Sequence, residues 1–173
     1  MENKLQWQKI LLDALNTSDK SSQQVINDVI AQVGEVLNAD VAALYVKDKQ
    51  GDLDCQYIWS KNQSMSAEEY VTEWQRANMK FRSWQNGQGS GKLVDKGYLV
   101  IDAKHMDEAA KKIMSAGPVK SFTAVPVYVN GNYGAVFVLA NTSINKLWTT
   151  EEIEFVKQTG DVLRSALEKI ESD

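Results

Sequence analysis

The sequence predicts an α+β fold: a central antiparallel sheet with N- and C-terminal helices on one face and short helices and loops on the other. Three observations lead there. First, Lys120 to Ala140 holds two apolar runs joined at Asn130-Gly131, the dipeptide that supplies positive φ at both centres of a two-residue hairpin turn. Second, Val41–Val46 and Leu53–Trp59 form another strand pair around Lys49-Gln50-Gly51-Asp52. Third, apolar residues recur at helical spacing near both ends of the chain.

Taken in order, residues 4–16 read as a short helix. Leu5, Leu12 and Leu15 lie on one side, and Trp7, Ile10, Leu11 and Ala14 spread onto the other. A helix apolar around much of its girth needs more than one surface to pack on. Ser21 with Gln24 fits a capping box, and Val25, Ile26, Val29, Ile30, Val33, Val36 and Leu37 carry the second helix to about Asn38. In the 53–59 strand, Leu53, Cys55, Tyr57 and Trp59 alternate with polar residues, interrupted only by Ile58.

Ser66 with Glu69 opens a short helix through Tyr70, Val71, Trp74 and Ala77, followed by Met79, Phe81 and Trp84. The glycine-rich run Asn86 to Gly91 requires a loop. Tyr98–Ile101 is a short strand ending at Asp102, and a helix follows through Met106, Ala109, Ala110 and Ile113 to Gly117-Pro118. The opening hairpin comes next. Both of its runs are nearly continuously apolar, which implies a sheet covered on both faces. Pro126 donates no amide hydrogen, so it belongs at a bulge or facing away from the ladder.

Thr149 with Glu152 caps the final helix. Its residues Ile153, Val156, Gly160, Leu163, Leu167 and Ile170 follow the a/d spacing of a coiled coil, with Phe155, Val162 and Ala166 as a second stripe. One stripe can cover the sheet while the other meets a partner helix. The expectation is therefore one domain over 1–173: an N-terminal helix to 18, a core over 19–148, and a signalling or dimerisation helix over 149–173. The terminal helices cover one face, and the 66–97 segment covers the other.

Composition sets the function class. Hydrophobic residues are 43% and charged residues 24% of the 173, ordinary for a globular protein. The net charge of −4 and the lack of a dense Lys/Arg cluster argue against nucleic acid. No apolar run approaches the roughly 20 residues that cross a bilayer. Met1-Glu2-Asn3-Lys4 lacks the form of a signal peptide, and a single cysteine suits a reducing cytoplasm. A cytoplasmic location is expected.

The order of elements and several local patterns resemble a GAF domain, the small-molecule sensor module of signalling proteins, from about Asp19 to Ile170. Leu37 to Val46 resembles the helix end and first strand of that family. Gly89 to Val94 with Lys96 to Asp102 resembles its glycine-rich crossing into a strand ending in Asp. Gly117 to Val127 and Gly131 to Leu139 resemble its most recognisable stretch, and Asn141 with Trp148 to Glu152 its final turn and helix start.

The resemblance implies regulation more often than catalysis. It implies a domain that binds an unidentified small molecule and signals through its terminal helices. The recipient is a homodimer partner or an output domain of histidine kinase or cyclase type. It also implies the settings of the PAS-like folds, two-component and cyclic nucleotide signalling. No cofactor is assigned. Bilin-binding members place a cysteine next to a histidine, whereas Cys55 and His105 are far apart here. The free methionine sulfoxide reductase branch needs several redox cysteines, and this chain has one. Of the cyclic-nucleotide signature, Asn141 matches, Thr142 replaces the lysine, and Trp148 and Glu151-Glu152 stand near the aromatic and acidic positions.

Among individual residues, Gly87–Leu93 fails as a phosphate loop, because Asn86 stands where the first glycine should be and Leu93 where Ser or Thr should hold magnesium. It reads instead as a pocket lid. His105, the sole histidine, sits with Asp102 at a strand-to-helix junction where a polar ligand group could be met; a capping or surface role suits it too. Trp59, Tyr70, Trp74, Phe81 and Trp84 gather between the second strand and the glycine loop, as a pocket roof or simply as core. Ser121 and Thr123 could supply hydroxyls to a ligand or occupy polar strand positions. The candidate ligand-binding set is Tyr57, Trp59, Trp74, Phe81, Trp84, Asp102, His105, Ser121 and Thr123, with no catalytic or metal residues. The alternatives are a single-cysteine redox enzyme acting through Cys55, related to the GAF-fold sulfoxide reductases, and a ligand-free dimerisation module.

Overall fold

The computed structural model describes residues 2–16, 19–61, 96–102, 120–142 and 146–172. Within them the order is α1 (Glu2–Leu15), α2 (Ser22–Val36), β1 (Val41–Lys47), β2 (Leu53–Ser60), β3 (Leu99–Ile101), β4 (Ser121–Val129), β5 (Asn132–Asn141) and α3 (Thr150–Ser172). The five strands form one sheet in the order β2-β1-β5-β4-β3. Every neighbouring pair is antiparallel. The fold is the expected α+β architecture.

The β4–β5 hairpin turns at Asn130 (φ 52°) and Gly131 (φ 83°), both left-handed, as a two-residue turn with the twist of its strands requires. Pro126 lies opposite Val136, and the ladder slips one step later, between Val127 and Tyr128. The short β3 pairs only with Phe122 to Ala124, so β4 has no described neighbour on its outer side at Pro126. The missing amide hydrogen leaves no ladder position unfilled there.

The three described helices lie on one side of the sheet, α2 and α3 packing on its strands and α1 on α2 and α3. α2 begins with a complete capping box, in which Ser21 Oγ accepts from Gln24 N at 3.2 Å and Gln24 Oε1 from Ser21 N at 3.1 Å. α3 lies along β4 with Gly160 over Val125 and Val127, where an added methyl would sit 3.5 Å from Val125 Cγ2. The second stripe of α3 is also used within the chain. Phe155 stacks on Trp7 of α1 with ring centroids 4.9 Å apart and planes 4° from parallel, and Val162 and Ala166 are buried in the same core as Val25. The partner helices that its spacing called for are α1 and α2.

The 53–59 strand does not keep one apolar face. Leu44 pairs with Tyr57 but Tyr45 pairs with Cys55, so Gln56 is an extra residue in a bulge. A bulge shifts side-chain parity by one, and everything beyond it changes face. Leu53, Cys55 and Ile58 therefore share the face away from the helices, while Tyr57 and Trp59 turn toward them. Ile58, which breaks the simple alternation, is in register once the bulge is counted.

Candidate functional site

The face of the sheet away from the helices has its own buried cluster. The ladders place its residues in rows across the strands. Ile58, Ala43, Val138, Ala124 and Leu99 form the middle row. On one side of it run Cys55, Tyr45, Val136 and Pro126; on the other, Val41, Ala140, Phe122 and Ile101. Strands lie about 4.8 Å apart, and alternate residues along a strand about 7 Å apart. The two alanines flanking Val138 thus make a shallow trough with Tyr45 and Phe122 on its long sides and Ile58 and Leu99 at its ends. Ala43, Ala124 and Val138 are 1%, 3% and 3% exposed, so the trough is a buried surface. This is the candidate site: apolar, small-floored and walled by larger side chains.

Its chemistry is that of shape and apolar contact. Burial, with a smaller contribution from Asp54, pushes the Cys55 thiol up from 9.0 to about 12. It stays protonated, with Sγ 3.8 Å from the Tyr57 carbonyl oxygen as a weak donor. At the hairpin end, Lys47 Nζ sits 4.2 Å from the centroid of Tyr133, whose ring packs on the same cluster. Among the described residues no group of His, Cys, Asp and Glu is placed to hold a metal.

None of the described residues expected to bind ligand lies in the trough. Tyr57 and Trp59, expected to face the 66–97 segment, pack instead against the helices, because the Gln56 bulge rotates them there. Trp59 fills the space above Gly34, where an added methyl would come within 2.4 Å of its ring. Tyr57 does line an open cleft of about 320 Å³ with Val129, Leu167 and Ile170, at the hairpin end of the helix side.

Asp102, Ser121 and Thr123 are buried and engaged with backbone. Thr123 Oγ donates to the Leu99 carbonyl at 3.2 Å. Ser121 Oγ accepts from Lys146 N at 3.1 Å, and Asp102 Oδ2 accepts from Trp148 N at 3.3 Å. Ser121 and Asp102 fasten the strand ends to the stretch that starts α3, and Thr123 ties β4 to β3, so these hydroxyl and carboxyl groups are engaged with protein backbone. Trp74, Phe81, Trp84 and His105 lie outside the described residues.

The residues resembling the cyclic-nucleotide signature have structural partners as well. Asn141 Nδ2 donates to Asn38 O at 3.1 Å, and Thr142 N donates to Asp40 Oδ2 at 2.8 Å. Glu152 completes a cap with Thr149 at 3.0 and 3.1 Å and pairs with Lys146 at 2.7 Å. Sequence reasoning missed Ala43, Tyr45, Phe122, Ala124 and Val138. Their parity along β1, β4 and β5 was readable, but not which parity faced the helices.

The family comparison agrees with this geometry. The family model of the GAF domain matches residues 21–167. The chain belongs to the GAF family. Solved GAF domains share its fold at low sequence identity. The phycocyanobilin-bound GAF domain from a cyanobacterial phytochrome superposes with a TM-score of 0.74 at 14% identity, covering 94% of each chain. The GAF domain of an Acinetobacter phosphoenolpyruvate-protein phosphotransferase gives 0.66 at 14% identity, covering 96% of this chain and 93% of that one. Its counterpart from Coxiella burnetii gives 0.68 at 14% identity, covering 97% and 96%. No curated protein matches closely enough to count as a relative. In this GAF domain no described helix is long and apolar enough to cross a membrane.

Proposed function

We propose that this GAF domain is a cytoplasmic regulatory sensor whose small-molecule ligand lies over the Ala43–Val138–Ala124 row. The observation that carries the reading is the trough itself, since small-molecule sites are concave, mostly apolar and walled by larger side chains. A neighbour of the same fold is bilin-bound. Here the ligand is held without a covalent bond, because a Cys55 thiol pushed up to about 12 is a poor nucleophile at neutral pH. The same property counts against the redox-enzyme alternative, and the role is regulatory rather than catalytic.

The relay runs through β4. One of its faces presents Phe122 and Ala124 to the trough, and the other presents Val125 and Val127 to α3 beneath Gly160. A ligand that favours one position of β4 shifts the seating of α3, and only that difference in affinity between states transmits a signal. The recipient is a second copy or an output domain of histidine kinase or cyclase type, in two-component or cyclic nucleotide signalling.

The test is native mass spectrometry of protein purified from its own host. A mass adduct that disappears on denaturation is the expected result. Bare protein in repeated preparations would overturn the sensor reading and leave a ligand-free dimerisation module.

A further inference from the structure

We propose that Asn130-Gly131 is a self-modification site: the Gly131 amide nitrogen closes on the Asn130 side chain, and the aspartate that results at 130 unfastens the end of α3 from the β4–β5 hairpin for good. The chemistry needs no ligand and so stands apart from the sensor reading, which it extends with a one-way change in the same helix.

Asparagine is a thermolabile residue, because its side-chain carbonyl carbon lies within reach of the next backbone nitrogen. Asn130 and Gly131 are both exposed. Gly131 has open space where a side chain would begin, so nothing crowds the approach of its nitrogen. The ladder closes with Val129 opposite Asn132, which leaves the Gly131 amide outside it. Attack forms a bond from Gly131 N to Asn130 Cγ and breaks the bond from Cγ to Nδ2. The nitrogen leaves as ammonia with the proton that Gly131 gives up. Water then opens the succinimide ring. Opening at the side-chain carbonyl gives aspartate; opening at the main-chain carbonyl gives isoaspartate, which adds a methylene to the backbone of a two-residue turn.

The place of this asparagine gives the reaction a consequence. Asn130 N donates to Glu168 Oε1 at 3.0 Å and Asn130 Nδ2 to Glu171 Oε2 at 2.7 Å, so one residue of the turn is clasped by two carboxylates of α3. Hydrogen bonds to a charged acceptor are among the stronger ones. While the clasp is closed, Glu171 holds the side-chain amide in place, and attack belongs to the moments when it opens. A carboxylate at 130 has no hydrogen to donate. It also brings a third negative charge against Glu168 and Glu171, so the bridge becomes a like-charge contact and does not close again.

The test is to age the folded 173-residue chain at physiological temperature and neutral pH, then combine peptide mass spectrometry with hydrogen exchange. The tryptic peptide Ser121–Lys146 should gain the mass by which OH exceeds NH2, localised by fragmentation to Asn130 and partly as isoaspartate. Amide exchange in the last turn of α3 should quicken by roughly tenfold in the aged chain, and equally in a fresh Asn130→Asp variant. In a Glu168→Gln/Glu171→Gln background the same Asn130→Asp change should have little effect, because glutamine can donate to the new carboxylate. An Asn130 that keeps its amide while Asn86, the other asparagine followed by glycine, converts overturns the proposal. So does an aged chain whose α3 exchanges as before, or a glutamine background that loosens as much as the wild type.

Discussion

Two glycines inside helices respond to the same substitution in opposite ways, because their surroundings differ. An added methyl at Gly160 meets Val125 at 3.5 Å, an ordinary contact. Gly160→Ala should therefore be neutral or stabilising by up to about 1 kcal/mol through helix propensity. At Gly34 the methyl would lie 2.4 Å from the Trp59 ring and 3.2 Å from Ala42 Cβ. Overpacking typically costs about 1–3 kcal/mol and outweighs the propensity gain, so Gly34→Ala should lower stability. Urea melts of the two variants side by side check both signs.

Cys55 gives a prediction in pH. Its pKa is raised in the folded state from 9.0 to about 12, so the native protein keeps a proton that the unfolded chain releases. The associated stability is present below pH 9 and is lost as pH rises toward 12. Stability of the wild type relative to Cys55→Ser should fall across that window, while thiol labelling at pH 8 stays about a thousandfold slower than for a free cysteine.

Among elements, the β4–β5 hairpin and the end of α3 behave as one unit. Asn130 N donates to Glu168 Oε1 at 3.0 Å, and Asn130 Nδ2 donates to Glu171 Oε2 at 2.7 Å. The turn thereby holds the last turns of the helix that leaves the sheet. Gly131 at φ 83° has open space around it, so Gly131→Ala is strained by conformation and not by contact, at a cost of about 1–2 kcal/mol. Asn130→Gly keeps the turn and removes the amide bond. It should leave the melting temperature within a few degrees of wild type while speeding amide exchange in the last turn of α3. Hydrogen exchange resolved by residue separates the two effects.

At the scale of the whole molecule, the sheet is a layer with apolar side chains on both faces, as nearly continuous apolar strands demand. A ligand that binds only the folded chain stabilises it by mass action, about 2.7 kcal/mol at a hundredfold excess over Kd. The host-derived ligand should thus raise the melting temperature by several degrees when added back to stripped protein. No shift with a ligand that re-binds by mass spectrometry would place it on the unfolded chain as well, against a preformed trough.

Much of this fold was legible because it is written in local chemistry. Asn130-Gly131 declares its turn, Ser21 with Gln24 its cap, and the three- and four-residue spacings their helices. Those signals depend on neighbours along the chain. What tertiary structure decided was which surface each apolar residue meets. The Gln56 bulge sent Tyr57 and Trp59 to the helix side, and α1 and α2 took the stripe of α3 that spacing alone left for a partner. Burial stabilises an apolar side chain without direction, so the sequence states that a face will be covered, and only the assembled layers determine by what.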